Sequence, residues 1–191
     1  MTRHVKTLIL ASASGRRSRI LADLGVSFKV VIPEVKELNY VNDPERTVRR
    51  NALRKNKWCR RRFPDCSILA ADTIVEFMGK IINKPSSMKE AGEFLRMLSG
   101  KTHRVFTGIA FSRPGFRATS RMDISSVTFK RLTDIKIRKY LAKVKPMDRA
   151  GAYDIDENGD LLIASFTGSR TNIMGLSSET TAELLKKEGF L

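Results

Sequence analysis

Two arginines follow a short apolar stretch near the start of the chain. Residues 12–17, Ser-Ala-Ser-Gly-Arg-Arg, separate a predicted strand at residues 7–11 from a predicted helix that begins after Ser14. A helix N-terminus presents free backbone N–H groups and a partial positive charge, so this turn could bind an anion. Arg16 and Arg17 in the first helical turn oppose the helix dipole, and a bound polyphosphate would turn that penalty into attraction. The alternative is a pair of solvated surface arginines.

Asp72 directly follows an apolar stretch, residues 67–71, that is typical of a buried strand. We therefore expect Asp72 at a strand end, where α/β proteins commonly place their active sites. A carboxylate there can hold a divalent cation, accept a proton from water, or do both. The alternative is an aspartate that caps a loop. A hairpin predicted to turn at residues 78–79 would bring Lys84 back to within roughly 5 Å of Asp72 and Thr73.

A strongly basic helix is predicted at residues 44–62. Residues 46–62 hold nine Lys or Arg residues and no acidic residue, within a chain whose formal net charge is +16. Such a charge indicates a polyanionic partner, which could be nucleic acid, an anionic membrane or a phosphate-rich small molecule. The helix is either a nucleic-acid surface or a solvated outer face. Little aromatic interleaving beyond Trp58 and Phe63 argues against a platform that stacks single-stranded bases.

The elements that must position these residues alternate irregularly along the chain. Further strands are predicted at residues 28–32, 73–77, 80–82, 105–111, 125–129 and 161–166, and further helices at residues 88–98, 133–144 and 178–188. This pattern predicts an α/β or α+β protein with a mixed sheet. A length of 191 residues predicts about one domain, residues 1–191, with at most two lobes around a shared cleft.

Several classes of protein are excluded by what the sequence lacks. Cys59 and Cys66 have no metal-type spacing, and His4 and His103 lie far apart, so we expect free thiols and no multi-histidine zinc site. No apolar run approaches the roughly 18–20 residues that span a bilayer, and the first one is too short for a signal peptide, so we expect a soluble cytoplasmic protein. Walker, dinucleotide-binding and nucleophile-elbow motifs are absent from the sequence.

Nine segments, taken in order, resemble the Maf family of nucleoside-triphosphate pyrophosphatases. They are Leu-Ala-Ser-Ala-Ser-Gly-Arg-Arg (10–17), Val-Lys-Glu (35–37), Lys55, Ala-Asp-Thr (71–73), Lys-Pro (84–85), Leu-Ser-Gly-Lys-Thr-His (98–103), residues 105–108, Ala-Gly-Ala-Tyr (150–153) and Gly-Ser-Arg-Thr-Asn-Ile-Met-Gly-Leu (168–176). Each segment alone is weak, but their order and spacing are specific. The resemblance runs from about residue 7 to the C-terminus.

The resemblance implies an elongated, two-lobed α/β fold with flanking helices and a central cleft, similar to inosine-triphosphate pyrophosphatases. It implies hydrolysis between the α- and β-phosphates, which releases a nucleoside monophosphate and pyrophosphate. It also implies a divalent cation, usually Mg²⁺ or Mn²⁺, and often a homodimer. Two other hypotheses remain: a basic nucleic-acid-binding protein, and a division-regulating interaction protein, which only the family's history as septum-formation inhibitors motivates.

The resemblance also implies roles for individual residues. Asp72 would accept the proton of the attacking water, and Glu37 would help to hold the metal. The triphosphate would be held by Ser12, Arg16, Arg17, Lys55 and Lys84.

Base preference in the pyrimidine branch of the family depends on an Arg, a Thr and a Gln. Arg16 and Thr73 match that pattern, whereas Asp156 stands at the Gln position. A glutamine can donate and accept hydrogen bonds, but a carboxylate only accepts, which suits a guanine edge and the 7-methyl-GTP branch. Two matches favour dTTP or UTP as substrate, with a 7-methyl-GTP pyrophosphatase as the alternative.

Overall fold

The computed structural model describes residues 7–191, which form a seven-stranded mixed sheet with helices packed around it. The elements in chain order are β1 (Leu8–Ala11), α1 (Gly15–Asp23), β2 (Lys29–Val31), α2 (Pro44–Arg62), β3 (Ser67–Phe77), β4 (Lys80–Ile82), α3 (Met88–Leu98), β5 (Thr102–Ser112), β6 (Thr119–Phe129), α4 (Asp134–Leu141), β7 (Ile163–Thr167), α5 (Arg170–Met174) and α6 (Ser178–Lys187). The predicted α/β class with a mixed sheet is confirmed. His4 lies outside the described residues.

Among residues 7–191, part of one edge of β3 is not paired with another strand. Its strand order is β2-β1-β3-β5-β6-β7, with β4 added to the end of β3. The pairs β1–β2 and β1–β3 are parallel, and the other pairs are antiparallel. β1 pairs with β3 only as far as Ala11 and Ala70, and β4 joins at Val75 and Ile82. Between Ala70 and Val75 that edge of β3 therefore has no neighbouring strand, and a cavity lies beside it.

The prediction that Asp72 lies at the end of a strand was wrong. β3 runs without a break through Asp72, which pairs with Gly108 of β5. Burying a carboxylate inside a sheet costs free energy unless hydrogen-bond donors meet it, so an aspartate after an apolar run reads as a strand end. In the fold, α2 supplies those donors. The strand that does end here is β1, whose last pair with β3 lies two residues before Asp72. The hairpin turn at Met78 and Gly79 is confirmed, because both residues have positive φ.

Two larger apolar clusters pack at opposite ends of β3 and β5. One lies around β1, α1 and α6, and the other lies under α3 and α4. The first includes Leu10, Leu21, Leu69, Ile109 and Leu185, and the second includes Leu95, Leu98, Val105, Phe129 and Tyr140. The cavity beside β3 has residues from both regions in its walls.

Both cysteines of the chain lie within residues 7–191. Cys59 and Cys66 are free thiols, and burial raises the pKa of Cys59 to about 11, so this thiol stays protonated. No group of three or more His, Cys, Asp or Glu side chains in this range could hold a metal ion. No helix in the same range has the length and apolar character needed to cross a bilayer.

Helix α2 lies very close to the sheet at Gly108. A Cβ atom added to Gly108 would lie 2.5 Å from the carbonyl oxygen of Val48 and 2.9 Å from the backbone nitrogen of Arg49. Only a residue without a side chain fits here. Because Gly108 is the direct partner of Asp72 in the sheet, this close approach brings the inward face of α2 over Asp72.

We expect Gly108→Ala to lower the free energy of unfolding by about 1–3 kcal/mol, because the added methyl group must push the α2 backbone away. Chemical denaturation measures this change. The matched control is Gly15→Ala, where an added Cβ meets nothing within 4 Å, and we expect its stability to stay within about 0.5 kcal/mol or to rise. A Gly108→Ala protein as stable as the unsubstituted one would contradict the packing described here.

Candidate active site

A cavity of about 250 Å³ lies beside the open edge of β3, and it gathers most of the predicted site residues. Its walls are the turn between β1 and α1, the segment before α2, one face of α2, the chain after β4, and the segments around residues 148–154 and 173–175. The predicted residues that line it are Ser12, Arg16, Arg17, Glu37, Lys55, Thr73 and Lys84. Asp72 lies behind Lys55, in contact with it.

One ammonium group joins two carboxylates at the base of the cavity. The Nζ atom of Lys55 lies 2.6 Å from Oδ1 of Asp72 and 2.6 Å from Oε1 of Glu37. Asp72 is buried, whereas about half of the Glu37 side chain is exposed. The second oxygen of Asp72 accepts a hydrogen bond of 3.0 Å from Nδ2 of Asn51. Both oxygens of the buried carboxylate are therefore satisfied, as its burial requires.

Asn51 is a site residue that sequence reasoning missed. It lies one helical turn before Lys55 on α2, so both side chains point to the same side of the helix. Its side chain also accepts from the backbone N–H of Leu38 and donates to the carbonyl of Leu38, at 2.8 Å and 2.9 Å. Asn51 thus fixes the segment that carries Glu37 to the same helix that contacts Asp72. An uncharged residue at this spacing within a basic helix was the available signal.

The two carboxylates have opposite pKa shifts. Burial raises the pKa of Asp72, Lys55 opposes that rise, and the neighbouring Glu37 adds to it, so the net direction is upward. Burial also acts to raise the pKa of Glu37, but Lys55, Lys84 and Arg17 together outweigh it, so the net direction is downward. A carboxylate whose pKa moves toward neutrality is a stronger base, while one with a lowered pKa stays ionised.

The turn between β1 and α1 has the geometry expected of an anion site. Ser14 stands at the N-cap of α1 but makes no side-chain capping bond, so it does not occupy the first N–H groups of the helix. Ser12 is buried, and its Oγ atom accepts hydrogen bonds from the backbone N–H of Ser14 and from Nη1 of Arg17. The cavity is bordered by this turn from Ala11 to Ser14.

Arg17 links three parts of the cavity wall. Its Nε atom donates to the carbonyl of Gly175 at 2.8 Å, and its Nη2 atom donates to Oγ1 of Thr73 at 2.9 Å. With the bond to Ser12, all three guanidinium nitrogens contact the protein itself. Arg17 therefore holds the turn against β3 and the α5–α6 connection, while its positive charge stays at the cavity.

Arg16 contacts the opposite wall through Asp154, a second residue that sequence reasoning missed. Nη1 of Arg16 donates to Oδ2 of Asp154 at 2.9 Å, and Nε of Arg16 is buried without a partner. Asp154 is itself held by the backbone N–H of Asp156 and lies 3.6 Å from Nε of Arg149. Its position directly after the Ala-Gly-Ala-Tyr segment was the available signal. A buried carboxylate thus sets the direction of Arg16.

Lys84 and Asp156 differ in where the fold places them. Lys84 follows β4, is exposed, and lines the cavity, where its charge contributes to the lowered pKa of Glu37. Asp156 does not join the other predicted residues. Its Oδ1 atom accepts from Nε and Nη2 of Arg170, at 3.0 Å and 2.7 Å, beside a separate depression near β7.

Tyr153 forms part of the cavity wall and is held from behind by His103. Nε2 of His103 lies 2.8 Å from the hydroxyl of Tyr153, and both rings meet Phe129 edge to face. His103 is only 2% exposed, and burial lowers its pKa to about 4. The folded protein therefore holds His103 neutral at pH values where an exposed histidine is charged.

This buried histidine makes stability depend on pH in a defined window. Because the unfolded chain binds a proton near pH 6.5 and the folded protein only near pH 4, the free energy of unfolding falls as the pH drops between these values. The His103 contribution is about 3 kcal/mol, and it is present above the window and lost below it. We expect His103→Gln to remove this contribution. Denaturation at pH 7.5 and pH 4.5 measures it, and an equal pH dependence in both proteins would contradict this assignment.

A family model described as "Maf-like protein" matches residues 7–188. The chain belongs to the Maf family. The match spans every predicted site residue of this Maf family member, and it confirms the resemblance seen in the sequence.

Two relatives of similar length carry the same name. A protein of Aromatoleum aromaticum named dTTP/UTP pyrophosphatase is 41% identical, and the match covers 96% of each chain. A protein of Symbiobacterium thermophilum with the same name is 38% identical over 97% of this chain and 96% of the relative. These matches extend over nearly the whole of this Maf family member.

Two solved structures share the fold. The Ham1 proteins of Staphylococcus aureus and Coxiella burnetii superpose with TM-scores of 0.53 and 0.56, over 96% of this chain and 100% of each of theirs. Both are 14% identical to it in sequence. At that identity the likeness concerns the fold alone.

Proposed function

We propose that this Maf family member is a nucleoside-triphosphate pyrophosphatase that hydrolyses the bond between the α- and β-phosphates. The products are a nucleoside monophosphate and pyrophosphate. One observation carries this proposal: the buried carboxylate of Asp72 lies directly behind Lys55, which lines a cavity whose walls also carry Arg16, Arg17 and Lys84. The names of the relatives support the same activity.

In this proposal the cavity walls bind the triphosphate. Arg16, Arg17 and Lys84 contribute positive charge, and the N-terminus of α1 contributes backbone N–H groups. Phosphoryl transfer is catalysed mainly by positioning and by fixed charges, because negative charge develops on the leaving oxygen. The bonds that hold Arg16 and Arg17 to the protein keep their charges in place before the substrate arrives.

Asp72 accepts the proton of the attacking water in this proposal. The water oxygen bonds to the α-phosphorus. The bond between the α-phosphorus and the oxygen that bridges it to the β-phosphorus breaks, and pyrophosphate leaves with the bonding electrons. Lys55 and Asn51 hold the carboxylate of Asp72 in one orientation while it receives the proton.

The carboxylates at the base of the cavity also fit a divalent cation such as Mg²⁺ or Mn²⁺. Mg²⁺ is usually bound by one or two carboxylates together with substrate phosphates and water, and Asp72 and Glu37 are such a pair. Both already face a cationic group, Lys55, at 2.6 Å. We propose that Glu37, which is ionised and half-exposed, is the main protein ligand. When bound, the ion would neutralise phosphate charge and polarise a phosphoryl oxygen.

We propose dTTP and UTP as substrates. The relatives are named for these nucleotides. Asp156, which departs from the pyrimidine pattern, accepts from Arg170 through Oδ1 and lies beside a separate depression, so its position does not decide between the two classes of nucleotide. A homodimer and a cytoplasmic location remain our predictions from the sequence.

The activity is tested with a panel of nucleoside triphosphates and Mg²⁺ or Mn²⁺, with pyrophosphate release as the measurement. We expect dTTP and UTP to be hydrolysed fastest, and Asp72→Asn to lower kcat by about 10²–10⁴-fold, because it removes the proton acceptor. The matched control is Glu76→Gln, an equally buried carboxylate on β3 that contacts Arg104 and Gly79 outside the cavity. This control should keep its activity.

Two results of that panel would overturn the proposal. One is the absence of pyrophosphate from every nucleotide with either metal. The other is an Asp72→Asn protein that is as active as the Glu76→Gln control.

The role of Asp156 in base recognition is tested by Asp156→Gln. A glutamine can both donate to and accept from a pyrimidine edge, so we expect kcat/KM for dTTP relative to GTP to rise by about tenfold. The control is Asp160→Asn, an exposed acid in the same segment. If the ratio for Asp156→Gln stays equal to that of the control, Asp156 does not take part in base recognition.

A further inference from the structure

We propose that the outer face of α2, together with the adjoining tip of the β5–β6 hairpin, binds single-stranded nucleic acid through its phosphate backbone. This surface is separate from the cavity, and the proposal does not depend on nucleotide hydrolysis. It gives a role to the basic residues of α2 that the cavity does not use. Of the nine Lys and Arg residues on this helix, only Lys55 contacts the carboxylates of the candidate active site.

Five exposed cations form a continuous line on α2, which we call the α2 stripe. Its members are Arg46, Arg50, Arg54, Lys57 and Arg61. They follow one another at intervals of four, four, three and four residues. In an α-helix these intervals keep all five within an arc of about 80° over a length of about 22 Å. The stripe is therefore a continuous row of positive charge, and the exposed Arg49 and Arg62 lie on other faces of the helix.

The protein does not neutralise this row itself. Among residues 7–191, no acidic side chain forms an ion pair with any member of the α2 stripe. Like charges four residues apart destabilise a helix, and cations near its N-terminus also oppose the dipole. Arg46, in the first turn, carries both penalties, and Arg50 carries the first of them. A row of phosphates along the stripe would reverse both effects.

The tip of the β5–β6 hairpin adds an aromatic ring at the end of the stripe. Nη1 of Arg60, on α2, donates to the carbonyl of Phe116 at 3.0 Å, so the hairpin tip lies against the helix. Phe116 is 56% exposed, and the guanidinium of Arg113 lies over one face of its ring, 3.8 Å from the ring centre. Unpaired bases stack on exposed aromatic rings beside a cationic groove, and Arg guanidinium groups add to that stacking. The sequence of α2 does not indicate an aromatic ring at this surface, because Phe116 lies 54 residues beyond the end of the helix.

A membrane surface is a poorer fit to this face. Helices that bind membranes bury an apolar side in the lipid. The apolar side of α2 is already used, because Val48, Ala52 and Cys59 are buried in the cores beside the sheet. What α2 leaves outside is a charged row, which suits a flexible polyanion.

The test is fluorescence anisotropy of the full chain with a labelled single-stranded DNA of 20 nucleotides that has no triphosphate, over a series of salt concentrations. The variant is Arg50→Gln/Arg54→Gln/Lys57→Gln, which removes three stripe charges. The control is Lys136→Gln/Lys139→Gln/Lys143→Gln, which removes three exposed charges at α4. We expect the slope of log K against log salt to become shallower by about 2 in the stripe variant and to stay unchanged in the control.

A second variant tests the aromatic end of the surface. We expect Phe116→Ala to weaken binding by about tenfold without changing the salt slope, because stacking does not release counterions. Pyrophosphate release, measured on the same preparations, should equal that of the unsubstituted protein in all three variants, since none of these residues lines the cavity. Failure of this proposal is therefore distinguishable from failure of the hydrolytic one.

The proposal is overturned by either of two results. One is binding of the unsubstituted protein weaker than about 10⁻⁴ M at physiological salt, which is weaker than ordinary non-specific binding to nucleic acid. The other is an equal loss of affinity in the stripe variant and in the α4 control, which would mean that only net charge matters.

Discussion

The candidate active site depends on a single ammonium group placed between two carboxylates. Lys55 compensates the burial of Asp72 and keeps Glu37 ionised, at 2.6 Å from each. A buried carboxylate without such a partner would be strongly destabilising or would take up a proton. With it, Asp72 retains a raised pKa and both of its oxygens are held. The site therefore combines a base of increased strength with a fixed orientation.

The fold serves this contact through two features of the backbone. β1 ends before Asp72 and β4 begins after it, so the edge of β3 is open where the carboxylate lies. The absence of a side chain at Gly108 lets α2 approach the sheet closely enough for Lys55 and Asn51 to reach Asp72. The cationic side chains of the cavity walls are held by hydrogen bonds, from Arg16 to Asp154 and from Arg17 to the carbonyl of Gly175.

Much of this arrangement was predictable from local pattern. Helix α2 begins and ends at the predicted residues. Asp43 is its N-cap, Pro44 is its first residue, and its apolar positions recur at helical spacing. The outer half of β6 was missed, because exposed polar side chains there hide the alternation of a strand. Helix α5 was missed because five residues are too few to show a period.

The missed site residues have a different cause. Asn51 and Asp154 are ordinary polar residues in the sequence, and their roles arise only when distant segments meet. Asp72 was identified as reactive but placed at a strand end, because its donors are on a helix that precedes it by about twenty residues in the chain. The local sequence pattern thus predicted the reactive carboxylate and the cationic residues of the cavity walls, but not the hydrogen-bond partners that hold them in place.

The most direct test of the central claim is a crystal structure with a dUTP analogue whose α- and β-phosphates are joined by a methylene group. The α-phosphorus should lie above the Lys55 ammonium, one water molecule away from Asp72, with the phosphates against the turn from Ser12 to Arg17. A triphosphate bound outside this cavity, with Asp72 out of reach of any water near phosphorus, would contradict the account.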